Sequence, residues 1–401
     1  MTSLRADVVI IGAGTTGLSA AYELAKAGVD VMLVDRGFLA QEASGRNPGG
    51  IRQMGRDIDE VPVIVAAMRR WHTLEEELGC SIELDPDGYL WVALNEQELE
   101  VQKKLVERDA AYGIEEYILD RDELKKLAPA ISDFPCGALY CPTDMMANPF
   151  LVTKGYYDAA RRHGARFLFG TEVVDLRVEG GRVCGVVTSQ GEIATGVVID
   201  AAGPWSHEIA SMAGVDVPIV PCPNQFILCE PMPPILPPFI LISSIAVCRQ
   251  PARPGHNQVF IGNTNAPGGI MGCSKATDYG ELLRTTANIL KIVPAFRGLN
   301  VIRTWVGILA FTPDDNFILG YVEQVEGLVL ACGFSGHGFA LTPMIGQLLR
   351  ELIVDGETSL NMAPFHLDRF EKGPVEADRL RPKELHFAHQ HVSADRLCPT
   401  D

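Results

Sequence analysis

No apolar stretch of this chain is long enough to cross a bilayer. The longest, Ile235 to Cys248, covers about fourteen residues and is broken by Pro237-Pro238, short of the ~20 that a spanning helix needs. Met1 to Asp7 carries no basic stretch ahead of a signal-like apolar core, and Val8-Val9-Ile10-Ile11 is too short to be one. A cytoplasmic protein is expected, not transmembrane and at most peripheral to the inner membrane. There is no Cys-x-x-Cys pair among the ten cysteines at 80, 136, 141, 184, 222, 229, 248, 273, 332 and 398. Most lie in apolar runs, which reads as reduced thiols and not as a zinc or iron–sulfur site, so no metal is expected. Basic residues are in deficit: 34 Lys and Arg stand against 51 Asp and Glu, a formal charge of −17. That sign repels phosphate backbones and anionic lipid, so nucleic acid is not an expected partner. No internal repeat is visible.

What is present describes a globular chain. Its 401 residues are 47% hydrophobic and 21% charged, enough for two to three domains of ordinary size with room inside for a nucleotide-sized ligand. The first informative segment is Ala6-Asp-Val-Val-Ile-Ile-Gly12-Ala-Gly14-Thr-Thr-Gly17. A β-branched run enters a glycine turn, and Leu18, Ala21, Leu24 and Ala25 then recur at helical spacing up to Gly28. Val29 to Val34 reads as the next buried strand, ending in Asp35, eighteen residues beyond Gly17. The three glycines do different things. Gly12 makes the tight turn, Gly14 admits a pyrophosphate to the backbone, and Gly17 lets the helix pack on the strand. The helix start then faces the phosphates, and Asp35 accepts hydrogen bonds from ribose hydroxyls. The unit implies a dinucleotide and does not by itself separate FAD from NAD.

Two further segments extend the pattern. Gly181 to Asp200 alternates like a hairpin with Gly191 at its turn and runs through Val197-Val-Ile-Asp200 into Ala201-Ala-Gly203-Pro-Trp205. The other begins at Thr312-Pro-Asp314 and continues through Gly327-Leu-Val-Leu-Ala-Cys-Gly333-Phe-Ser-Gly336-His337-Gly338-Phe339. A helix is expected from about Pro343 to Val354, with Thr342 as its N-cap and Pro343 at the first helical position. Its positive end would point at whatever occupies the glycine-rich loop before it. Elsewhere, Gly88 to Ala93 and Val259 to Gly262 read as strands, and helices are expected near 96–112, 120–127 and 278–291. The prolines of Pro231-Met-Pro-Pro-Ile-Leu-Pro-Pro238 demand an extended loop, whose apolar residues suit either a subunit interface or a folded-back surface loop.

On these three separated motifs, the chain resembles the D-amino-acid oxidase-like FAD oxidoreductases across nearly its whole length. Ala43-Ser44-Gly45-Arg46-Asn47-Pro48-Gly49-Gly50-Ile51-Arg52-Gln53 and Gly137-Ala-Leu-Tyr140-Cys-Pro are most similar to the catalytic β subunits of heteromeric sarcosine oxidase, opine (octopine or nopaline) dehydrogenases, hydroxyproline and proline dehydrogenases, and hydrogen cyanide synthase. The resemblance implies an α/β fold in which a Rossmann-like FAD-binding domain is interleaved with a mixed-sheet substrate-binding domain of α+β type. The FAD domain would take 1–80, 150–218 and 310–370, the substrate domain 81–149 and 219–309, and 371–401 would form a C-terminal surface arm. Beyond Gly12, Gly14, Gly17 and Asp35, the resemblance places Arg36, Ser44, Arg46, Asn47, Gly49, Gly50, Val173, Ala202, Gly203, Trp205, Gly307, Gly333, Gly336, His337, Gly338 and Phe339 at the cofactor.

Departures from the family pattern carry information too. Trp305-Val-Gly-Ile-Leu309-Ala-Phe-Thr312-Pro-Asp resembles a segment in which free-standing glycine oxidases place an arginine for the substrate carboxylate, and this chain has Leu309 there. Monomeric sarcosine oxidases attach flavin through a cysteine and place a lysine after Gly-His-Gly-Phe. Here those positions hold Gly307 and Ala340, which implies noncovalent FAD. The histidine that tethers an extra FMN in heteromeric sarcosine oxidase has no counterpart near Asn148-Pro149, which leaves only a noncovalent FMN at a subunit contact. The implied reaction is oxidation of a C–N bond by hydride transfer to flavin N5, giving an imine that water hydrolyses. Arg52 and Arg303 are the candidate carboxylate anchors. His337 is the candidate to tune the flavin or orient substrate, and Arg46, Tyr89, Tyr140 and Trp305 to line the pocket. The implied partners are a small amine or amino-acid substrate and other subunits with further flavin or iron–sulfur centres. The alternatives are a free-standing oxidase that makes hydrogen peroxide and a non-catalytic FAD-carrying assembly subunit.

Overall fold

The computed structural model describes residues 4–237, 239–242, 245–249, 257–263 and 272–371. The expected arm beyond Glu371, together with Cys398 and Pro238, lies outside the described residues. A six-stranded sheet runs in the order Ile318–Tyr321, Leu328–Cys332, Val197–Asp200, Val8–Ile11, Val31–Val34, Arg166–Leu168. Its pairs are parallel except for the antiparallel one between the first two. The near-continuous apolar runs follow from cover on both faces. Val8, Ile10, Val31 and Leu33 pack among the helices Thr15–Lys26, Pro149–Arg162 and Gly338–Arg350. Val9, Ile11, Met32 and Val34 pack instead against a four-stranded sheet that contains Val173–Glu179, Arg182–Thr188 and Gly191–Ala194. The expected hairpin is there: Thr188 pairs with Gly191, whose φ of +134° suits only glycine.

An eight-stranded sheet follows the order Val301–Phe311, Val220–Pro231, Gln258–Asn263, Ile245–Arg249, Phe239–Ile242, Tyr89–Ala93, Gly137–Cys141, Tyr117–Leu119. Only the Phe239–Ile242 and Tyr89–Ala93 pair is parallel. Alternation sorts its residues onto two faces. Leu90, Val92, Ile227, Ile240, Val247 and Ile261 pack with Leu124, Leu282 and Ile289 of the helices Arg121–Leu127 and Tyr279–Ile292. Tyr89, Trp91, Cys141, Phe239, Leu241, Cys248 and Phe260 form the opposite face, which is the one turned toward the six-stranded unit through Gly50 and Gly55. A Cβ on Gly50 would lie 1.7 Å from the Tyr89 hydroxyl, and one on Gly55 2.4 Å from the Trp91 ring. The strands expected at 88–93 and 259–262 and the helices expected near 96–112, 120–127 and 278–291 are found as Tyr89–Ala93, Gln258–Asn263, Glu96–Asp109, Arg121–Leu127 and Tyr279–Ile292.

The last helix departs from its expected start. It begins at Gly338, with His337 as N-cap, so Thr342 is no cap and Pro343 lies inside the helix. An interior proline removes a helical hydrogen bond and normally costs ~3 kcal/mol. The carbonyl left without its helical partner is that of Phe339; the neighbouring helix Val61–Trp71 donates to two other carbonyls of this stretch, Trp71 Nε1 to Ala340 at 2.7 Å and Arg70 Nη1 to Pro343 at 2.6 Å. These contacts pack the proline-bearing stretch against its neighbour, and the tertiary fold overrides the local rule that places proline at a helix start. Among the described residues no helix is long and apolar enough to cross a membrane, no metal-holding cluster occurs, and the nine cysteines are free thiols.

The chain after this helix is anchored by Phe365, fully buried and stacked on Phe317 with centroids 4.0 Å apart and planes within 5°. Phe365→Ala should cost ~3–5 kcal/mol, the range for truncating a buried aromatic. A urea unfolding midpoint equal to that of the parent chain would show that this segment is not part of the folded unit.

Candidate functional site

The strand Val8–Ile11 ends at Gly12, whose φ is +111° and where a Cβ would lie 2.4 Å from the Ala201 carbonyl oxygen. A Cβ on Gly17 would lie 2.0 Å from the Gly12 carbonyl oxygen, so the helix can sit on the strand end only because both positions are bare. The helix Thr15–Lys26 has neither an acidic residue in its first turn nor a side-chain cap on its N-cap Gly14. Its positive end therefore faces the groove with no acidic side chain of its own first turn against it, an arrangement that favours a bound anion. Ser44 Oγ takes the Thr15 amide at 2.9 Å, and a Cβ on Gly14 would lie 3.0 Å from that same oxygen. Asp35 accepts the Ala13 amide on one carboxylate oxygen and the Gly37 amide on the other, both at 2.7 Å. Each oxygen keeps a further lone pair for a ligand hydroxyl. Arg36 lies over the Trp205 ring at 4.3 Å, a cation–π contact that fixes both side chains.

The opposite wall is the loop after Leu328–Cys332. Gly333, Ser335 and Gly336 have φ of +70°, +48° and +88°. The Ser335 amide donates to the Ala310 carbonyl at 2.8 Å, pinning the loop to the strand Val301–Phe311. The helix that follows also lacks an acidic first turn and a side-chain cap. Two positive helix ends thus border one groove, whose walls include Gly12, Gly14, Asp35, Arg36, Ser44, Asn47, Val173, Ala202, Gly203, Trp205, Gly333, Gly336, Gly338 and Phe339.

The remaining expected positions, His337 among them, are not part of this wall. Gly17 makes the close helix contact already described. Gly49 and Gly50 let the chain pass the Ala147 carbonyl and the Tyr89 hydroxyl, and Gly307 passes the Arg46 Cβ at 3.2 Å. Arg46 is a joint and not part of the wall: its Nη1 donates to the Val306 carbonyl at 2.8 Å and its Nε to the Gln41 carbonyl at 3.0 Å. Trp305 Nε1 returns a bond to the Arg46 carbonyl at 3.0 Å. Gln41, Glu42, Glu172, Glu208 and Ser335 also line the groove and went unread, because no motif marks them. A positive φ at a residue other than glycine, as at Ser335, has no sequence signature.

The groove meets the eight-stranded sheet at Leu309 and Ala310, and the sheet carries aromatic side chains outside the groove wall. Tyr89 stacks on Phe239 with centroids 4.0 Å apart, Phe226 on Trp305 at 5.5 Å, and Phe260 meets Trp305 edge-on at 5.7 Å. Tyr140 points to the opposite face, among the residues that pack on the helices. Arg303 is exposed and lies over Trp305 at 5.9 Å, at the outer end of its strand and away from the groove wall. Arg52 is better placed: its Nη1 donates to the Met54 and Gly55 carbonyls, and burial together with Arg56 lowers its pKa to about 10, which leaves it cationic at neutral pH. Behind it stand buried acids. Asp144 accepts the Gln53 amide at 2.8 Å, and burial raises Asp144 to about 6 and Glu116 to about 8. His337 Nδ1 lies 2.9 Å from Glu60 Oε2, and Glu60 also pairs with Arg56 at 3.4 Å.

Comparison with known proteins matches the geometry. The family model for FAD dependent oxidoreductases, DAO, matches residues 7–352. The chain is 30% identical to sarcosine oxidase subunit beta of Rhodobacter capsulatus, covering 92% of this chain and 89% of that protein. It is 28% identical to hydrogen cyanide synthase subunit HcnC of Pseudomonas aeruginosa, over 92% and 97% of the two chains. Among solved structures, L-proline dehydrogenase from P. horikoshii superposes with a TM-score of 0.87 at 30% identity, covering 93% of this chain and all of that one. The glycine turn, the second helix end across the groove and the mixed sheet beside them are thus those of a known architecture, and the chain belongs to the DAO family of FAD-dependent oxidoreductases.

Proposed function

We propose that this chain oxidises the C–N bond of a secondary amine or of an amino or imino acid, as the catalytic subunit of a hetero-oligomeric dehydrogenase. The observation that carries the reading is the near full-length likeness, at 30% identity, to a sarcosine oxidase β subunit and an L-proline dehydrogenase. The names of those two proteins specify secondary amino acids. Two of the similar proteins are named as subunits, which supports the hetero-oligomer.

The residues present fit FAD. The bare positions 12 and 14 leave backbone open where a Cβ would crowd Ala201 or Ser44. The uncapped helix start supports the pyrophosphate, and Asp35 supports the ribose. FAD, when bound, supplies the acceptor for the hydride that leaves the carbon beside nitrogen. The start of the helix Gly338–Arg350 favours negative charge at the end of the groove nearest it. Arg52 offers a fork to a substrate carboxylate, a role that Leu309, an apolar groove residue, does not fill. The aromatic face excludes water from the reacting carbon. The imine product takes up water and releases a carbonyl compound and an amine.

Gly14→Val places a branched side chain against Ser44 and the anion path. FAD content per purified chain should fall to a small fraction of the parent value, and full occupancy in a soluble variant would contradict the assigned phosphate site. Acid precipitation of the parent should release the yellow colour, since Gly307 offers no thiol. Colour retained in the pellet would mean a covalent link. With sarcosine or L-proline the flavin should bleach under anaerobic conditions, turn over when a dye is added, and on admission of air react only slowly with oxygen. A monodisperse monomer with rapid, stoichiometric peroxide production would support a free-standing oxidase, and a flavin that no amine or amino acid bleaches would support an assembly subunit.

A further inference from the structure

Glu60 belongs to no sequence motif, yet it is among the most enclosed charged groups of the molecule, its side chain 1% exposed while that of His337 is 20% exposed. It precedes the helix Val61–Trp71. One carboxylate oxygen meets His337 Nδ1 at 2.9 Å and the other meets Arg56 Nη1 at 3.4 Å. Arg56 is itself held by its Nε on the Arg52 carbonyl at 2.9 Å, and the Arg108 Nη2 fixes the Arg56 carbonyl at 2.8 Å. The carboxylate is thus clamped at both ends and cannot swing away from the ring.

Burial pushes the Glu60 pKa up, but the opposing pull of His337 and Arg56 holds it at about 2. An ionised carboxylate only accepts, so His337 Nδ1 must carry the hydrogen. Burial lowers the His337 pKa, Glu60 raises it, and Arg56 and Arg52 lower it, with a net shift downward. The ring is therefore neutral at pH 7, and its second nitrogen, Nε2, holds a lone pair with no partner among the described residues. Residues on both sides of His337, namely Gly336, Gly338 and Phe339, line the groove. The His337 side chain is 20% exposed beside these residues, although His337 is not itself one of the groove-wall residues.

We propose that Glu60 is a positioning residue that holds His337 in the Nδ1–H form, so that Nε2 accepts a proton from a substrate ammonium group before its C–N bond is oxidised. The step is balanced: R2NH2+ and neutral imidazole give R2NH and imidazolium, and the Glu60 carboxylate supplies the counter-charge. The nitrogen lone pair that this frees is what allows the neighbouring carbon to give up hydride. The inference rests on the amine reading above. It adds a defined proton acceptor, the tautomer that makes it one, and the residue that selects the tautomer.

The test uses the FAD-loaded protein labelled with 15N-histidine, with His337→Asn to assign the ring. In the parent at pH 7 the Nδ1 of His337 should resonate as protonated and Nε2 as unprotonated. A ring protonated at Nε2 alone would overturn the proposal. Glu60→Gln should bind FAD with an unchanged absorption spectrum while anaerobic reduction by sarcosine slows by about 100-fold, the lower end of what a positioned base contributes. The loss should lie in the limiting reduction rate and not in substrate affinity. Because the imidazolium loses its counter-charge, the His337 pKa falls further in the variant. The acid limb of its rate profile should move to lower pH, while the rate on the plateau stays reduced. A variant with the parent's rate and pH profile would overturn the role of Glu60. If Glu60→Gln does not retain FAD, or if no amine reduces the parent flavin, the tautomer in the parent decides the matter alone. The second of these outcomes counts against the amine reading and not against the geometry of the pair.

Discussion

The contact on which the rest depends is between two residues without side chains. Gly17 meets the Gly12 carbonyl where a Cβ would come within 2.0 Å, and Gly12 meets the Ala201 carbonyl where one would come within 2.4 Å. Overlaps of this size cannot be relieved by rotamer changes, because backbone lies on both sides. The bare contact lets the helix Thr15–Lys26 start at the end of the central strand, which aims its dipole out of the sheet edge and into the groove. Had either residue carried a methyl group, the helix would have to withdraw, and the anion site would go with it.

The second helix end across the groove is reached by a different physical route. The helix Gly338–Arg350 begins five residues before its proline, and Arg70 and Trp71 of a neighbouring helix donate to the Pro343 and Ala340 carbonyls beside it. Arg70 also pairs with Glu23 and Glu77 at 2.6 Å each, so one guanidinium ties the glycine-turn helix, the Leu74–Leu78 helix and the last helix together. The wall of the groove and its two positive ends are thus a single packed unit. His337 and Arg52 are linked to each other through Glu60 and Arg56.

Much of this is legible in the sequence. The Val8–Ile11 and Val197–Asp200 strands, the glycine turn and Asp35 follow from local patterns, because what they do depends on backbone geometry that only certain residues can adopt. Fourteen of the expected cofactor positions share the groove wall, since glycine-rich loops signal where chain and ligand must come close. The helix start differs from the expected one because a proline inside a packed helix looks the same in sequence as one at a helix start. Arg46, expected at the cofactor, instead joins two segments 260 residues apart, and Arg303 is an exposed strand-end residue. Residue type alone does not distinguish an arginine that binds a ligand from one that ties backbone carbonyls. Glu60 is invisible for the same reason: its partner is 277 positions away, and only the fold brings the two together.

The measurement that tests the account most directly is a crystal structure of the FAD-loaded chain. The account predicts the diphosphate against the Gly12–Gly14 turn, a ribose on Asp35, and the flavin ring between the start of the helix at Gly338 and the aromatic face that carries Tyr89 and Phe239. A flavin ring seated instead over Trp205 and Arg36, with the adenosine end beside His337, would contradict it.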